Sequence, residues 1–433
     1  MKTLILVYTA VVGTIKLKGD RRLKQWLKDV EAKHPSLSYF VKKRIITDNL
    51  YGVDIMEEAT EIAKLRLFLA LVSSAQEVEE LEPLPNIDFN IMAGNSLIGL
   101  IRVDEKSFDA VGESRQGNLL QPLAASQYKQ ILDEKNKNLD LYKKHAFQSG
   151  EVEGTSQESR LQSLRNEIDK LNRDSYKSLN QLLLDEFSTK LGIKYEEAQL
   201  KGKPKKRVLN IKDIETLKPF HWGYHFDNII EERGGFDAII TNPPWEIFKP
   251  NAREFFVQHN ELVKKSKMDI KQFEKEKEKL LKNPETAEAW LEYQNQFPYV
   301  SAYYRSADQY NNQISIVNGK KAGTDINLYK LFLEQCFNLL RAGGCSGIIM
   351  PTGIYTDLGA KQLREMLFTK SQLGTLFGLS NERFIFEGVD HRFKFCLLDF
   401  EKGGQTDSFS AAFRIDPREA ISKDKLGIFL NDE

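Results

Sequence analysis

The sequence predicts an α/β protein built on a doubly wound, mostly parallel sheet that two charged helical stretches interrupt. Three observations carry that prediction. Short apolar runs suited to buried strands alternate with segments of helical period, and three of those strands end in polar residues suited to ligand binding. The two stretches rich in Lys, Glu, Gln and Asn break the alternation.

The 433 residues suffice for one large α/β domain with insertions, or for two ordinary domains. Apolar residues make up 41% of the chain and charged residues 29%, so a core can be buried. The 62 basic and 62 acidic side chains cancel, so net charge does not announce a nucleic-acid partner. A polyanion would have to meet local patches such as Lys201, Lys203, Lys205, Lys206 and Arg207, or the lysines near Lys264 and Lys279; solvated helix faces look the same. Cys336, Cys345 and Cys396 show no metal-ligand spacing, so neither a metal site nor a disulfide framework is expected, and a reducing cytoplasm fits. The apolar run Leu4–Val12 is too short for a membrane span, and no other segment approaches the ~20 apolar residues needed, so a soluble cytoplasmic protein with no membrane partner is expected.

In chain order, Leu4 to Ile15 fits either a helix or a strand. Arg21–Lys33 and Ser36–Asn49 predict amphipathic helices parted by His34-Pro35, because proline lacks a donor and restricts its predecessor. Leu50–Asp54 predicts a buried strand, followed by Ala59, Ile62, Ala63, Leu67, Phe68 and Leu71 at helical spacing. A second strand is expected over Asp88–Met92 before the polar turn Ala93-Gly94-Asn95-Ser96, and a third over Phe236–Thr241 before Asn242-Pro243-Pro244-Trp245. Asn327–Leu340 predicts a helix with Gly343-Gly344 as its stop, then a strand Ser346–Met350. Thr375–Leu379 and Phe393–Leu398 are further strands, the latter suited to an antiparallel closing pair. The expected division is core 1–103, charged helical insertion 104–210, core strand and tetrapeptide 211–245, helical insertion 246–310 and core 311–433.

Ligands of such sheets sit beyond the strands' carboxyl ends, which here carry Asp54, Asn95 and Asn242–Trp245. Asp54 is placed to accept hydrogen bonds from two ribose hydroxyls, although alone it reads better as a helix-capping aspartate. The tetrapeptide is more telling. An exocyclic adenine nitrogen is a poor nucleophile because its lone pair is delocalised into the ring. The Asn242 side-chain oxygen and the Pro243 carbonyl can hold its two hydrogens, the prolines stiffen the turn, and Trp245 offers a face to an extruded base. A tight turn beside a core tryptophan is the plain alternative.

These segments resemble the adenine-specific methylases of type IIG restriction-modification systems and their phage-defence relatives. The resemblance rests on Asn49-Leu50-Tyr51-Gly52-Val53-Asp54-Ile55, Met92–Gly99, Phe236–Trp245, Gly343-Gly344, Met350–Asp357 and His391-Arg392-Phe393-Lys394-Phe395. It implies a Rossmann-like, S-adenosylmethionine-dependent methyltransferase sheet acting on the N6 amino group of adenine in DNA. Asp54 and Ile55 would then meet the cofactor ribose side, Asn95 and Ser96 its adenine, and Asn242, Pro243, Pro244 and Trp245 the target base. Phe393 or Phe395 would wall the base pocket, though core-strand roles suit both equally well.

The pattern is not complete. No Gly-x-Gly turn precedes Asp54, and Gly13 and Gly19 are too far apart to form one. Relatives also continue into a target-recognition region. The sheet is therefore expected to lack its central strand unless another polypeptide or the Leu4–Val12 run supplies it, and the isolated chain is expected to methylate DNA weakly or not at all. Methylation of RNA adenine or a protein glutamine, and a non-catalytic DNA-binding or scaffold role, remain the alternatives.

Overall fold

The computed structural model describes residues 5–8, 21–82, 84–116, 127–147, 157–259, 269–317, 319–321, 325–381, 386 and 389–415. Leu4, Val11 to Ile15, Gly19 and Lys264, which the sequence brings into discussion, lie outside these residues.

Strand β1 is Ile5–Tyr8, followed by helices α1 (Arg21–Lys33) and α2 (Leu37–Asp48). Ser36 caps α2, its hydroxyl accepting from the Tyr39 amide. Strand β2 (Leu50–Asp54) leads into α3 (Glu57–Val72), whose first turn carries Glu57 and Glu58 where the helix dipole favours negative charge. Next come β3 (Ile91–Ala93), α4 (Glu105–Gln116), α5 (Gln127–Phe147) and α6 (Gln157–Asp185). A hairpin of β4 (Lys194–Glu197) and β5 (Lys205–Val208) follows, within a stretch where the sequence offers few strand signals. Short helices α7 (Ile211–Glu215) and α8 (Trp222–His225) precede β6 (Phe236–Thr241). Helices α9 (Ala252–His259), α10 (Ile270–Leu280) and α11 (Pro284–Ser306) and the small hairpin β7 (Ile316–Val317) and β8 (Lys320–Lys321) separate β6 from α12 (Leu328–Leu339). The chain continues with β9 (Leu340–Pro351), α13 (Gly353–Thr356), α14 (Lys361–Lys370), β10 (Ser371–Ser380), β11 (Lys394–Lys402) and β12 (Ser410–Ile415).

One eight-stranded sheet has the order β12-β10-β11-β9-β6-β1-β2-β3. Strand β6 runs parallel to β9, β2 parallel to β3, and β11 antiparallel to both β9 and β10. Of the two ways to fill the slot between β2 and β6, the structure shows this chain's own β1, and it runs antiparallel to both neighbours. Leu6 faces both Gly52 and Ile240, so β2 and β6 point the same way and end level.

Helix α12 is covered on nearly every side. Leu331, Leu333, Cys336 and Leu339 are fully buried, and hydrogen bonds hold its buried Glu334 carboxylate and the carboxamide nitrogen of Gln335. Glu334 accepts from the Asn312 amide and the Gln313 carboxamide, and the Gln335 carboxamide donates to the Ser96 carbonyl. Gly343-Gly344 does not stop this helix. The chain is already extended at Leu340, and the glycines lie within β9, where its register against β6 shifts between Phe236 and Ala238. The strand expected over Asp88–Met92 narrows to Ile91–Ala93, because Asn90 turns its carboxamide back to the Thr47 and Leu50 carbonyls.

Candidate functional site

Both Asp54 and Asn242 lie just past the level ends of β2 and β6, with only β1 between them. At an interstrand spacing of about 4.8 Å, those strand ends stand roughly 10 Å apart on the same edge of the sheet. Asp54 is 2% exposed, and its Oδ1 accepts from the Met56 amide at 2.9 Å. The neighbouring Ile55 is 52% exposed, an aliphatic surface at the edge where a flat ring could rest.

The next strand end is held from across the chain. Asn95 donates its amide to the Lys218 carbonyl at 2.7 Å, its Oδ1 accepts from the Leu97 amide, and its carbonyl accepts from the Phe220 amide. The Ser96 carbonyl accepts from Trp222 Nε1 and from Gln335 Nε2. Close approach explains the glycines that bracket this turn. A Cβ on Gly94 would lie 2.9 Å from the Phe220 ring, and one on Gly99, where φ is +142°, would lie 2.1 Å from the Phe220 carbonyl oxygen. Lys218, with φ +50°, is the one non-glycine residue with positive φ among the described residues, a strained conformation at a site edge. Sequence reasoning missed this Lys218-Pro219-Phe220 segment; the dense Pro219-Phe220-His221-Trp222 run is the signal that could have found it.

The Asn242–Trp245 corner leaves β6 and is tied down beyond Trp245. The Leu328 amide donates to the Glu246 carbonyl at 3.0 Å and the Phe248 amide to the Ile326 carbonyl at 2.7 Å, which joins the corner to the start of α12. Trp245 sits in an aromatic cluster. Its ring is stacked with Phe393 at 5.5 Å and 11°, and with Phe395 at 5.8 Å and 27°. Phe386 meets it edge-on at 5.1 Å and meets Phe395 in the same way at 5.0 Å. Phe395 is buried in the β11 ladder opposite Pro351 and Leu379, so the core-strand and pocket readings both describe it, while Phe393 is 38% exposed. Among the described residues, the Trp245 Nε1 and Thr241 Oγ1 atoms are buried with no hydrogen-bond partner. Nothing in the sequence singles out Phe386.

The structure thus brings Asp54, Ile55, Asn95, Ser96 and Asn242–Trp245 to one edge, with Phe393 and Phe395 beside Trp245. The residues suit a nucleoside at the Asp54 end, where a buried carboxylate adjoins an exposed aliphatic side chain. They offer no glycine-rich turn among the described residues for a methionine chain, because β1 runs opposite to its neighbours. A separate open cleft of about 880 Å³, lined by residues such as Arg102, Ser107, Gln181 and Lys190, shares none of these site residues. In the basic run, Lys201, Lys203, Lys205 and Lys206 are exposed along the β4–β5 hairpin, with Lys206 paired to Glu196 and Arg207 to Asp213.

With that geometry in place, comparison with known proteins is decisive on one point. The family model of the Eco57I restriction-modification methylases matches residues 48–287 and 297–386. The chain belongs to the Eco57I restriction-modification methylase family. The match takes in Asp54, Asn95, Asn242–Trp245 and Phe386, but stops short of Phe393 and Phe395. Over 236 residues the chain is 34% identical to a protein of Methanocaldococcus jannaschii named "Putative type II restriction enzyme and methyltransferase". The aligned part is 50% of this chain and 20% of that protein, so the match spans about a fifth of its relative's length. Among solved structures, a modification subunit of a type I restriction enzyme from Vibrio vulnificus YJ016 aligns with a TM-score of 0.24 at 11% identity, over 52% of this chain and 38% of that one. A nuclease-deletion mutant of the Type ISP enzyme LlaGI, in complex with a DNA substrate mimic, aligns with a TM-score of 0.24 at 12% identity, over 92% of this chain and 31% of that one. Likeness at such scores carries no argument about this chain. No helix among the described residues is long and apolar enough to cross a membrane.

Proposed function

We propose that the strand-end site transfers a methyl group from S-adenosylmethionine to the N6 amino group of adenine in DNA. The observation that carries this reading is the aromatic stack on Trp245, at the mouth of the Asn242-Pro243-Pro244 corner and one strand away from Asp54. An amine held by the corner and a nucleoside held at Asp54 would thus share one edge.

In this reading, the Asn242 side-chain oxygen and the Pro243 carbonyl accept the two amino hydrogens and draw the nitrogen lone pair out of conjugation. The prolines fix φ on either side of the Pro243 carbonyl and so preorganise that acceptor, which limits the reorganisation needed at the moment of attack. Trp245 stacks on the base and fixes the plane in which that nitrogen lies, a contact worth roughly 1–3 kcal/mol. Asp54 accepts from the ribose hydroxyls of the cofactor, Ile55 packs against its adenine, and Asn95 and Ser96 border that adenine. Bound there, S-adenosylmethionine supplies the electrophilic methyl. A base sandwiched between Trp245 and Phe393 needs a ring separation of roughly 7 Å, two contacts of about 3.5 Å. The two rings are now in contact at a centroid distance of 5.5 Å, so Phe393, the exposed member of the pair, would have to move outward to admit a base between them.

A planar ring system is what this cluster is shaped to meet, which favours a nucleobase over the amide of a glutamine side chain. Tritiated methyl donor, offered with duplex DNA, RNA and protein in parallel, tests the assignment. Label in N6-methyladenine of DNA, weak for the isolated chain, is the expected outcome; label only in RNA or protein, or no cofactor binding, sinks it.

A further inference from the structure

The backbone around the aromatic cluster is held by Asn381, a residue that has no part in the roles assigned above. Asn381 follows the last residue of β10 and is fully buried. Its backbone amide donates to the Phe393 carbonyl at 2.9 Å, extending the β10–β11 ladder by one rung beyond the Ser380–Lys394 pair. Its carboxamide faces the inside of the connection between the two strands. Oδ1 accepts from the Phe386 amide at 2.9 Å. Nδ2 donates to the Val389 carbonyl at 2.9 Å, to the Phe386 carbonyl at 3.2 Å and, at a longer 3.4 Å, to the Asp390 carbonyl.

The Asn381 side chain thus holds the Phe386 backbone at both its amide and its carbonyl, while Phe393 is held by the Asn381 main-chain amide and, through its own amide, by the Asp390 carbonyl that also accepts from Asn381 Nδ2. These are the rings that meet Trp245 edge-on and face-on. A short side chain carrying an acceptor and a two-hydrogen donor is required. Aspartate would turn a charge towards the Phe386 and Val389 carbonyls, and leucine would leave buried backbone groups unsatisfied. We infer that Asn381 is a positioning residue for the base pocket, holding Phe386 and Phe393 in register with Trp245. The assignment rests on the proposed methyl transfer for its consequence in catalysis; the ring contacts and the hydrogen bonds of Asn381 are read directly.

The test uses the 433-residue chain. The contribution of Trp245 to the near-ultraviolet circular dichroism is isolated as the difference between each protein and its Trp245→Phe counterpart. Asn381→Leu, which keeps the branched shape without the polar atoms, and Asn381→Ser, which tolerates water, should each lose most of that difference while keeping the far-ultraviolet spectrum and one cooperative unfolding transition. An undiminished Trp245 signal in both variants overturns the inference. So does loss of the fold in both, because Asn381 would then support the sheet rather than the pocket. Where the wild-type chain methylates DNA, the variants should also lose kcat/KM about 100-fold, the scale of a small misplacement of a reacting group, with cofactor affinity unchanged. A lost signal beside a wild-type chain that labels no DNA leaves Asn381's role standing and removes the methyl-transfer reading alone.

Discussion

The two halves of the sheet, joined through β1, are built to different standards. On the β6 side, α12 is enclosed, its Glu334 carboxylate and the carboxamide nitrogen of Gln335 are hydrogen-bonded internally, and the corner after β6 is tied to the helix by two backbone hydrogen bonds. On the β2 side, α3 turns Ile62 (58% exposed), Leu65 (57%) and Leu69 (59%) away from the sheet, and β2 meets its inner neighbour only through the four residues of β1. The half that would hold the target amine is self-sufficient, whereas the half that would hold the cofactor rests on a short antiparallel strand and leaves an apolar helical stripe uncovered within the described residues. Rigidity is thus concentrated where an amine must be aimed.

The largest break in that comparison should come from Asn242→Ala. Removing one preorganised hydrogen-bonding group from a reacting centre costs about 10²–10³ in rate. The corner belongs to the self-sufficient half, so methyl transfer should fall by that factor while the cofactor dissociation constant stays within about twofold. An equal loss in cofactor affinity would show that the two halves are not separable. Next in size is Leu331→Ala. Leu331 is fully buried in α12, and truncation of a core leucine costs about 2–5 kcal/mol, readable as a lowered denaturation midpoint. A cost below about 1 kcal/mol would contradict the enclosure of this helix.

Asp54→Asn probes the other half. Asparagine keeps an oxygen to accept from the Met56 amide but gives up the charge that would hold ribose hydroxyls. Hydrogen bonds to charged groups contribute about 1.5–3 kcal/mol, so the cofactor dissociation constant should rise roughly ten- to hundredfold by calorimetry, with stability nearly unchanged. An unaltered constant would return Asp54 to the role of a turn-stabilising aspartate.

The chemistry-bearing elements were the legible ones, because each announces itself locally. The bounds of α1, β2 and β6 follow directly from apolar runs and helical spacing. Gly343-Gly344 was misread for a physical reason: a glycine pair after a helix signals a left-handed cap and a strand irregularity alike, and only the register against β6 separates them. Phe386 and Asn381 were illegible because what defines them, a carboxamide reaching backbone groups on the far side of a connection, is a spatial relation with no period in sequence. The Lys218–Phe220 segment is of the same kind, since its partner Asn95 lies far upstream in the chain. Helix α3 shows the opposite limit. Helical spacing identifies its apolar positions, yet spacing alone does not say whether anything covers them.

That last point yields the smallest expected effect and the sharpest test of the asymmetry. If Leu65 and Leu69 face solvent in the free chain, as their exposures of 57% and 59% indicate, then Leu65→Lys and Leu69→Lys remove no buried contact. Surface changes away from special features fall within about 0.5 kcal/mol, and lysine is nearly as good a helix former as leucine. Each variant should therefore unfold at nearly the wild-type denaturant midpoint and show reduced self-association. A loss above about 2 kcal/mol for either one would mean that the stripe is covered in solution, and the β2 half of the sheet would then be as enclosed as its neighbour.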